Sequence, residues 1–279
     1  MSVTVTELTP ATGVQITGLS GRRLVDKAVA EECREALDRR GVVVYREARL
    51  DDADLVDFSR LLGQVVPLPN GGVPERPEIQ AISRDPLKSP LAAYWEATFF
   101  WHIDGTTSQV PDKATLLTAR RIDGGGGGDT GFANTYAAYE ALSEAERGEL
   151  EGLRVVHSFA ASQLHVTPNP SPKERAAWDR NPAREHPLVW THQDGRTSLL
   201  IGTTASEVVG MPADEGTALL NRLLDWTAQP RFALRHEWHP GRPGDLGINT
   251  GMLHRALPYD QSSSRLMHRT SLAGEEAIA

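Results

Sequence analysis

Gly251-Met252-Leu253-His254-Arg255-Ala256 is followed, after a turn, by Ser264-Arg265-Leu266-Met267-His268-Arg269-Thr270. If the second piece is a strand, Arg265, Met267 and Arg269 share one face and His268 points the other way, because side chains alternate along a strand. Two guanidinium groups then face the interior. Buried arginines need anions, and their planar fork matches a carboxylate in bidentate fashion.

Working back from these strands, short apolar runs recur from about residue 92 onward: Phe99 to His102, Ala114 to Ala119, Val155 to Phe159, Leu188 to Thr191, Ser198 to Gly202 and Met267 to Leu272. Short runs separated by turn signals predict a β-sandwich or barrel rather than a parallel sheet. Helical spacing over Ala137 to Leu153 and Asp214 to Ala228 predicts two struts covering a sheet. The N-terminal part reads as a hairpin-like entry over residues 3 to 17, a helix from Leu24 to Arg39 stopped by Gly41, and a buried strand Val42 to Tyr45. A second helix follows from Asp51 to Leu62, capped by Asp51 or Asp52 with Gly63 beyond its end. Ala160 to Glu185 is polar and weakly periodic, the profile of a long loop or lid. The fold class expected is mainly β with flanking helices (α+β). At 279 residues the chain suits one domain spanning 1–279, with a lid or insert around 160–185.

Composition narrows the function. Hydrophobic residues make up 39% and charged residues 24%, a balance that can bury a core. A net charge of -8 and the lack of a Lys/Arg block argue against nucleic acid as a partner. A small-molecule substrate is expected instead, and a homo-oligomer is compatible with the sequence. Cys33 is the only cysteine, so no intrachain disulfide or multi-thiolate metal centre can form, and a cytoplasmic setting is expected. No stretch approaches the roughly 18 apolar residues that span a bilayer, and Met1 to Gly13 lacks the basic start and apolar run of a signal peptide. Gly124 to Gly128 lacks the Lys-Ser/Thr of a phosphate-binding loop and reads as a flexible connection.

His102 and Asp104 stand two apart after an aromatic run, Phe99-Phe100-Trp101. On a strand such residues project from one face and can converge on one ion. With nine histidines, a His-x-Asp pair is expected about once by chance, and it occurs twice. The second, His192-Gln193-Asp194-Gly195, carries a hairpin-turn signal. His157, His165, His186, His236, His239 and His268 read as packing or surface residues. Two histidines and one carboxylate suit Fe(II) and leave three positions open.

Taken with Gly128-Asp129-Thr130 and with Arg265 eleven residues after His254, these motifs resemble the TauD/TfdA family of iron(II)- and 2-oxoglutarate-dependent dioxygenases. The resemblance runs from Gly13-Val14-Gln15-Ile16 to Gly274. It implies a double-stranded β-helix, or jelly-roll, core. It also implies that His102, Asp104 and His254 hold Fe(II), and that Thr130 and Arg265 bind the distal carboxylate of 2-oxoglutarate. Arg269 is implied to meet the co-substrate or an anionic primary substrate. The implied reaction consumes O2 and 2-oxoglutarate, releases succinate and CO2, and oxidises a C–H bond of a small, anionic organic molecule; the Asp104 carboxylate disfavours halogenation. Many relatives carry Trp-Asp-Asn shortly before the distal His, whereas Gly247-Ile248-Asn249-Thr250 stands here. A Zn(II)-dependent hydrolase on the same three residues, and a catalytically silent small-molecule-binding relative, remain the alternatives. Tyr94, Trp95, Thr98 and Phe100 are expected near the pocket.

Overall fold

The computed structural model describes residues 3–68, 72–122, 127–239 and 244–279. Its largest sheet has eight strands in the order Thr4–Glu7, Val14–Thr17, Val42–Tyr45, Leu246–Asn249, Ala114–Arg121, Leu266–Leu272, Arg76–Ile82 and Gly72–Val73. All neighbours are antiparallel except Val14–Thr17 against Val42–Tyr45. A three-stranded antiparallel sheet, Ala233–His236, Thr130–Ala133 and Leu253–Ala256, faces it. The two sheets enclose the cavity described below, which gives the jelly-roll core expected from the sequence.

Strand Val42–Tyr45 is buried on both sides, and its period of two explains how. Val43 and Tyr45 pack toward the N-terminal helices, while Val42 and Val44 meet Phe132 of the smaller sheet. Helices Lys27–Arg40 and Asp52–Leu62 cover the outer face of the large sheet. Asp26 accepts from the Ala28 and Val29 amides to start the first, and Gly41, at φ 69°, ends it. Asp51 caps the second by accepting from Asp54 N at 2.8 Å. Such caps satisfy the amides that a helix start leaves open.

Three expectations about local structure change. Phe99 to His102 is not a strand: Ala92–Phe99 is a 3-10 helix, and His102 forms only an isolated bridge with His254. Ala137 to Leu153 is two helices, Thr135–Glu140 and Glu144–Leu150, because Ser143 and Glu146 make a capping box that starts the second. The stretch Ala160 to Glu185 holds helices Phe159–Leu164 and Pro172–Trp178, the latter begun by a Ser171/Glu174 capping box with Pro172 at its first position. Proline there loses nothing, since the first helical amide has no partner in the helix. The second strut is found as Ala213–Thr227. Gly124 to Gly126 lie outside the described residues.

Candidate metal centre and its two cavities

The His102 and His254 backbones hydrogen-bond to each other in both directions, at 2.9 and 2.8 Å. Their rings lie with centroids 4.3 Å apart. Each Nδ1 meets the carbonyl oxygen two residues earlier: His102 to Phe100 O at 2.8 Å and His254 to Met252 O at 2.9 Å. A carbonyl can only accept, so each ring carries its proton on Nδ1 and keeps the Nε2 lone pair free. Metal-binding imidazoles are oriented in this way.

Asp104 arrives from the turn after His102 rather than from a strand. Gly105, at φ 77°, makes that turn, and a Cβ there would lie 2.8 Å from both Pro111 Cα and Asp112 N. Asp104 Oδ2 is 3.6 Å from His254 Nε2. One ligand atom from each of His102, Asp104 and His254 can be chosen so that all lie within 4.8 Å of one another. They form the only such cluster among the described residues. His192-x-Asp194 does not join it: strands Val189–Thr191 and Thr197–Leu199 make the expected hairpin, and His192 Nε2 meets Ser198 Oγ at 2.8 Å.

The charge states suit a cation. Burial, and then the neighbouring His254 imidazole, pushes His102 down to about 4. Burial alone would raise Asp104, but Arg269 and the two imidazoles outweigh it and hold the carboxyl well below the usual range. Arg269 Nη1 donates to Asp104 Oδ2 at 3.1 Å.

Two cavities meet at this cluster and share Trp95, Thr98, His102 and Arg269 in their walls. The inner one, about 60 Å³, lies between the sheets; Arg255, Arg265 and Arg269 line it, with no carboxylate among the described lining residues. Arg265 is 3% exposed. Its Nη2 donates to Gly128 O at 2.9 Å, its guanidinium sits 4.9 Å from the Tyr259 ring centroid, and its Nε has no partner among the described residues. Burial pulls its pKa below the ordinary arginine value. Gly128, at φ 74°, clears the way: a Cβ there would stand 2.6 Å from Arg265 Nε. Thr130 lines the same cavity and accepts from Trp238 Nε1 at 3.0 Å. Asp129 turns away from the cavity, accepting two bonds from Arg235 and one from the Trp238 amide. His268 faces the opposite side of its strand and pairs with Asp52 at 2.8 Å, as strand alternation predicts.

The outer cavity is wider, about 450 Å³. Tyr94, Trp95 and Thr98 line it, whereas Phe100 is 37% exposed and stacks on His165 instead. Phe159, Ser162 and Gln163 of helix Phe159–Leu164 line one side. Sequence reasoning missed Trp238, Tyr259, Gln80 and Thr203, because each reaches a cavity through long-range pairing that no local spacing encodes.

The model of the taurine catabolism dioxygenase TauD, TfdA family matches residues 4–271. This chain belongs to that family. It is 31% identical to the alpha-ketoglutarate-dependent 2,4-dichlorophenoxyacetate dioxygenase of Cupriavidus pinatubonensis, over 100% of both chains. It is 28% identical to the alpha-ketoglutarate-dependent sulfate ester dioxygenase of Pseudomonas putida, over 95% of this chain and 88% of that one. The crystal structure of AAD-2 in complex with Mn(II) and N-oxalylglycine superposes with a TM-score of 0.81, at 26% identity and full coverage of both chains. No described helix is long and apolar enough to cross a membrane.

Proposed function

We propose that this TauD/TfdA member is a 2-oxoglutarate-dependent, non-heme Fe(II) dioxygenase that oxidises a C–H bond of a small anionic substrate. One observation carries the reading: an arginine-lined cavity, with no carboxylate among its described lining residues, meets a two-histidine, one-carboxylate cluster. Arg255 and Arg265, which have no carboxylate partner among the described residues, together with Arg269, whose one carboxylate partner is Asp104, call for a polyanion, and 2-oxoglutarate carries two carboxylates. The ligand set is the facial arrangement that favours Fe(II) and leaves positions free.

In this reading His102 and His254 offer Nε2 and Asp104 offers a carboxylate oxygen to the metal. With 2-oxoglutarate and O2, the ferrous ion would supply the oxidising power for C–H oxidation, with release of succinate and CO2. The chain's part is placement. Arg265 holds the distal carboxylate, and Thr130, kept in place by Trp238, presents its hydroxyl beside it. Arg269 lines both cavities, so it steadies Asp104 and offers an anion site at the floor of the outer one. Among the described residues that line the outer cavity, it is the only cation. Relatives named for 2,4-dichlorophenoxyacetate, (S)-phenoxypropionate and sulfate esters act on anions, which supports the same substrate class here. An anionic group seated at Arg269 puts the neighbouring carbon next to the metal, and helices Phe159–Leu164 and Pro172–Trp178 act as the wall and lid over the rest.

The test is anaerobic addition of Fe(II) and then 2-oxoglutarate. A weak visible charge-transfer band is expected in the wild type and not in His102→Ala. Absence of the band from the wild type, or its persistence in the variant, would refute the assignment.

A further inference from the structure

The outer cavity holds a second polar feature that anion binding does not use. His157 is fully buried behind its wall. Its Nδ1 lies 2.9 Å from Thr204 Oγ1, and Thr204 Oγ1 lies 2.8 Å from Thr106 Oγ1. Thr106 Oγ1 in turn reaches Ile103 O at 3.4 Å. Thr106 and Thr204 line the cavity. His157 Nε2 has no partner among the described residues.

The direction of this chain of hydrogen bonds follows from what each atom can leave unpaired. Burial keeps His157 neutral, with its pKa pushed down to about 3, so it has a single N–H. A proton on Nε2 would be a buried donor with nothing to bond, whereas a proton on Nδ1 is used by Thr204. Thr204 therefore accepts from His157. If Thr204 then donates to Thr106, and Thr106 to Ile103 O, every hydrogen has an acceptor inside the protein. Both hydroxyls then face the cavity with lone pairs only.

Two more polar atoms at this cavity lack a partner among the described residues. Gln80 and Thr203 line the cavity and are each 5% exposed. Gln80 Oε1 and Thr203 Oγ1 have no hydrogen-bond partner among the described residues. Gln80 stands opposite Arg269 across the paired strands. Thr203 is tied to the other side of the cluster by its amide, which donates to Trp101 O at 2.9 Å. The Thr203 hydroxyl can donate or accept, but Gln80 Oε1 can only accept; a buried acceptor without a donor is costly, and a site built with one rejects ligands that cannot supply the missing hydrogen.

We infer that the Thr106, Thr204 and Gln80 wall selects a substrate carrying a hydrogen-bond donor, a hydroxyl or N–H, in addition to the anion held at Arg269. This rests on the function proposed above and adds a chemical class to it: hydroxy- or amino-substituted acids rather than acids with a bare apolar body.

Phenoxyacetate, its three ring-hydroxylated isomers and the matching methoxy compounds separate the possibilities. The readout is the affinity with which each perturbs the visible band of the anaerobic Fe(II)/2-oxoglutarate complex. At least one hydroxy isomer is expected to bind about tenfold or more tighter than phenoxyacetate. Its methoxy counterpart, which has the oxygen but no hydrogen to donate, is expected to show no such gain. Thr204→Val should erase the preference and Thr204→Ser should keep it. A band that no probe perturbs, equal affinities for the hydroxy and parent compounds, or a gain shared by the methoxy compound would overturn the inference. Failure of the band to form at all would instead count against the proposed function. The wild-type comparison decides even where Thr204→Val does not fold.

Discussion

The two cavities that meet at His102 and Arg269 differ in how they treat charge. The inner one lies between two sheets and carries three arginines with no carboxylate among its described lining residues, whereas the outer one is wide and lined mainly by hydroxyl, amide and aromatic groups. A small, buried, cationic space demands one kind of occupant, because an unpaired guanidinium in a low dielectric is costly. A wide wall of neutral polar groups imposes direction and shape instead of charge. The division suits an enzyme in which one ligand is constant and the other gives identity to the reaction.

The largest effect should come from removing the point where the cavities meet. His254→Ala takes away one of the three proposed ligands, and Fe(II) affinity is expected to fall by about 100-fold or more. Metal binding followed by competition with a chelator would check it; affinity within a few-fold of wild type would separate the cavities from any metal. Next in size is Arg265→Ala, which reaches the inner cavity alone. Losing one partner of a buried charge pair costs about 2–5 kcal/mol, so KM for 2-oxoglutarate should rise about 30-fold or more. Arg269→Ala lines both cavities and should weaken both ligands. If Arg265→Ala disturbed primary-substrate affinity as strongly as that of 2-oxoglutarate, the division into two chambers would not hold.

Acid should strike the outer wall. His157 is held neutral, with its pKa at about 3, first by burial and then by His186. An unfolded histidine titrates near its ordinary value of 6.5, so between that pH and about 3 the unfolded chain binds the extra proton. The stability this group contributes is therefore complete above about pH 6.5 and declines as pH falls, by up to about 1.4 kcal/mol per pH unit. His236, lowered to about 4 chiefly by burial, adds in the same direction. Urea unfolding at pH 7.5 and 5.5 should show the loss in wild type and a shallower loss in His157→Phe. Equal slopes would remove His157 as a cause.

How far the sequence could be read depends on where each signal resides. Arg265 and Arg269 stood out because two charged side chains on one expected strand face contradict a plain core, and that contradiction is local. His102 and Asp104 stood out as a pair two apart, although Asp104 reaches the site from a turn, and His254 was singled out through the family resemblance. The short apolar runs separated by turn signals made a β-sandwich or barrel legible, and the family resemblance narrowed it to a jelly-roll. The Phe99 to His102 segment misled because its aromatic run resembles a strand, whereas the chain coils through Ala92–Phe99 and pairs with the small sheet by a single bridge, at His102. The two insert helices were hidden by polar composition, although Ser171-Pro172 with Glu174 is a start signal that a closer local reading could have found. Gln80 and Thr203 had no such marker. Their significance lies in an unmet hydrogen bond, which exists only once distant strands are assembled.

The smallest expected effect asks how finely the inner cavity is built. Trp238 Nε1 donates to Thr130 Oγ1 at 3.0 Å, and both groups are buried. That bond occupies one lone pair and leaves the Thr130 hydrogen free to turn toward an anion beside Arg265. Trp238→Phe keeps an aromatic ring but deletes the donor, so Thr130 loses its fixed orientation while Arg265 stays in place. A single neutral hydrogen bond contributes about 0.5–1.5 kcal/mol, which corresponds to a rise in KM for 2-oxoglutarate of about two- to tenfold, well below that of Arg265→Ala. Thr130→Val should give a loss of similar size, and the double variant should cost little more than either alone, because the two side chains act through one contact. Fully additive losses would show that Trp238 supports the cavity by packing and that Thr130 binds its anion without help.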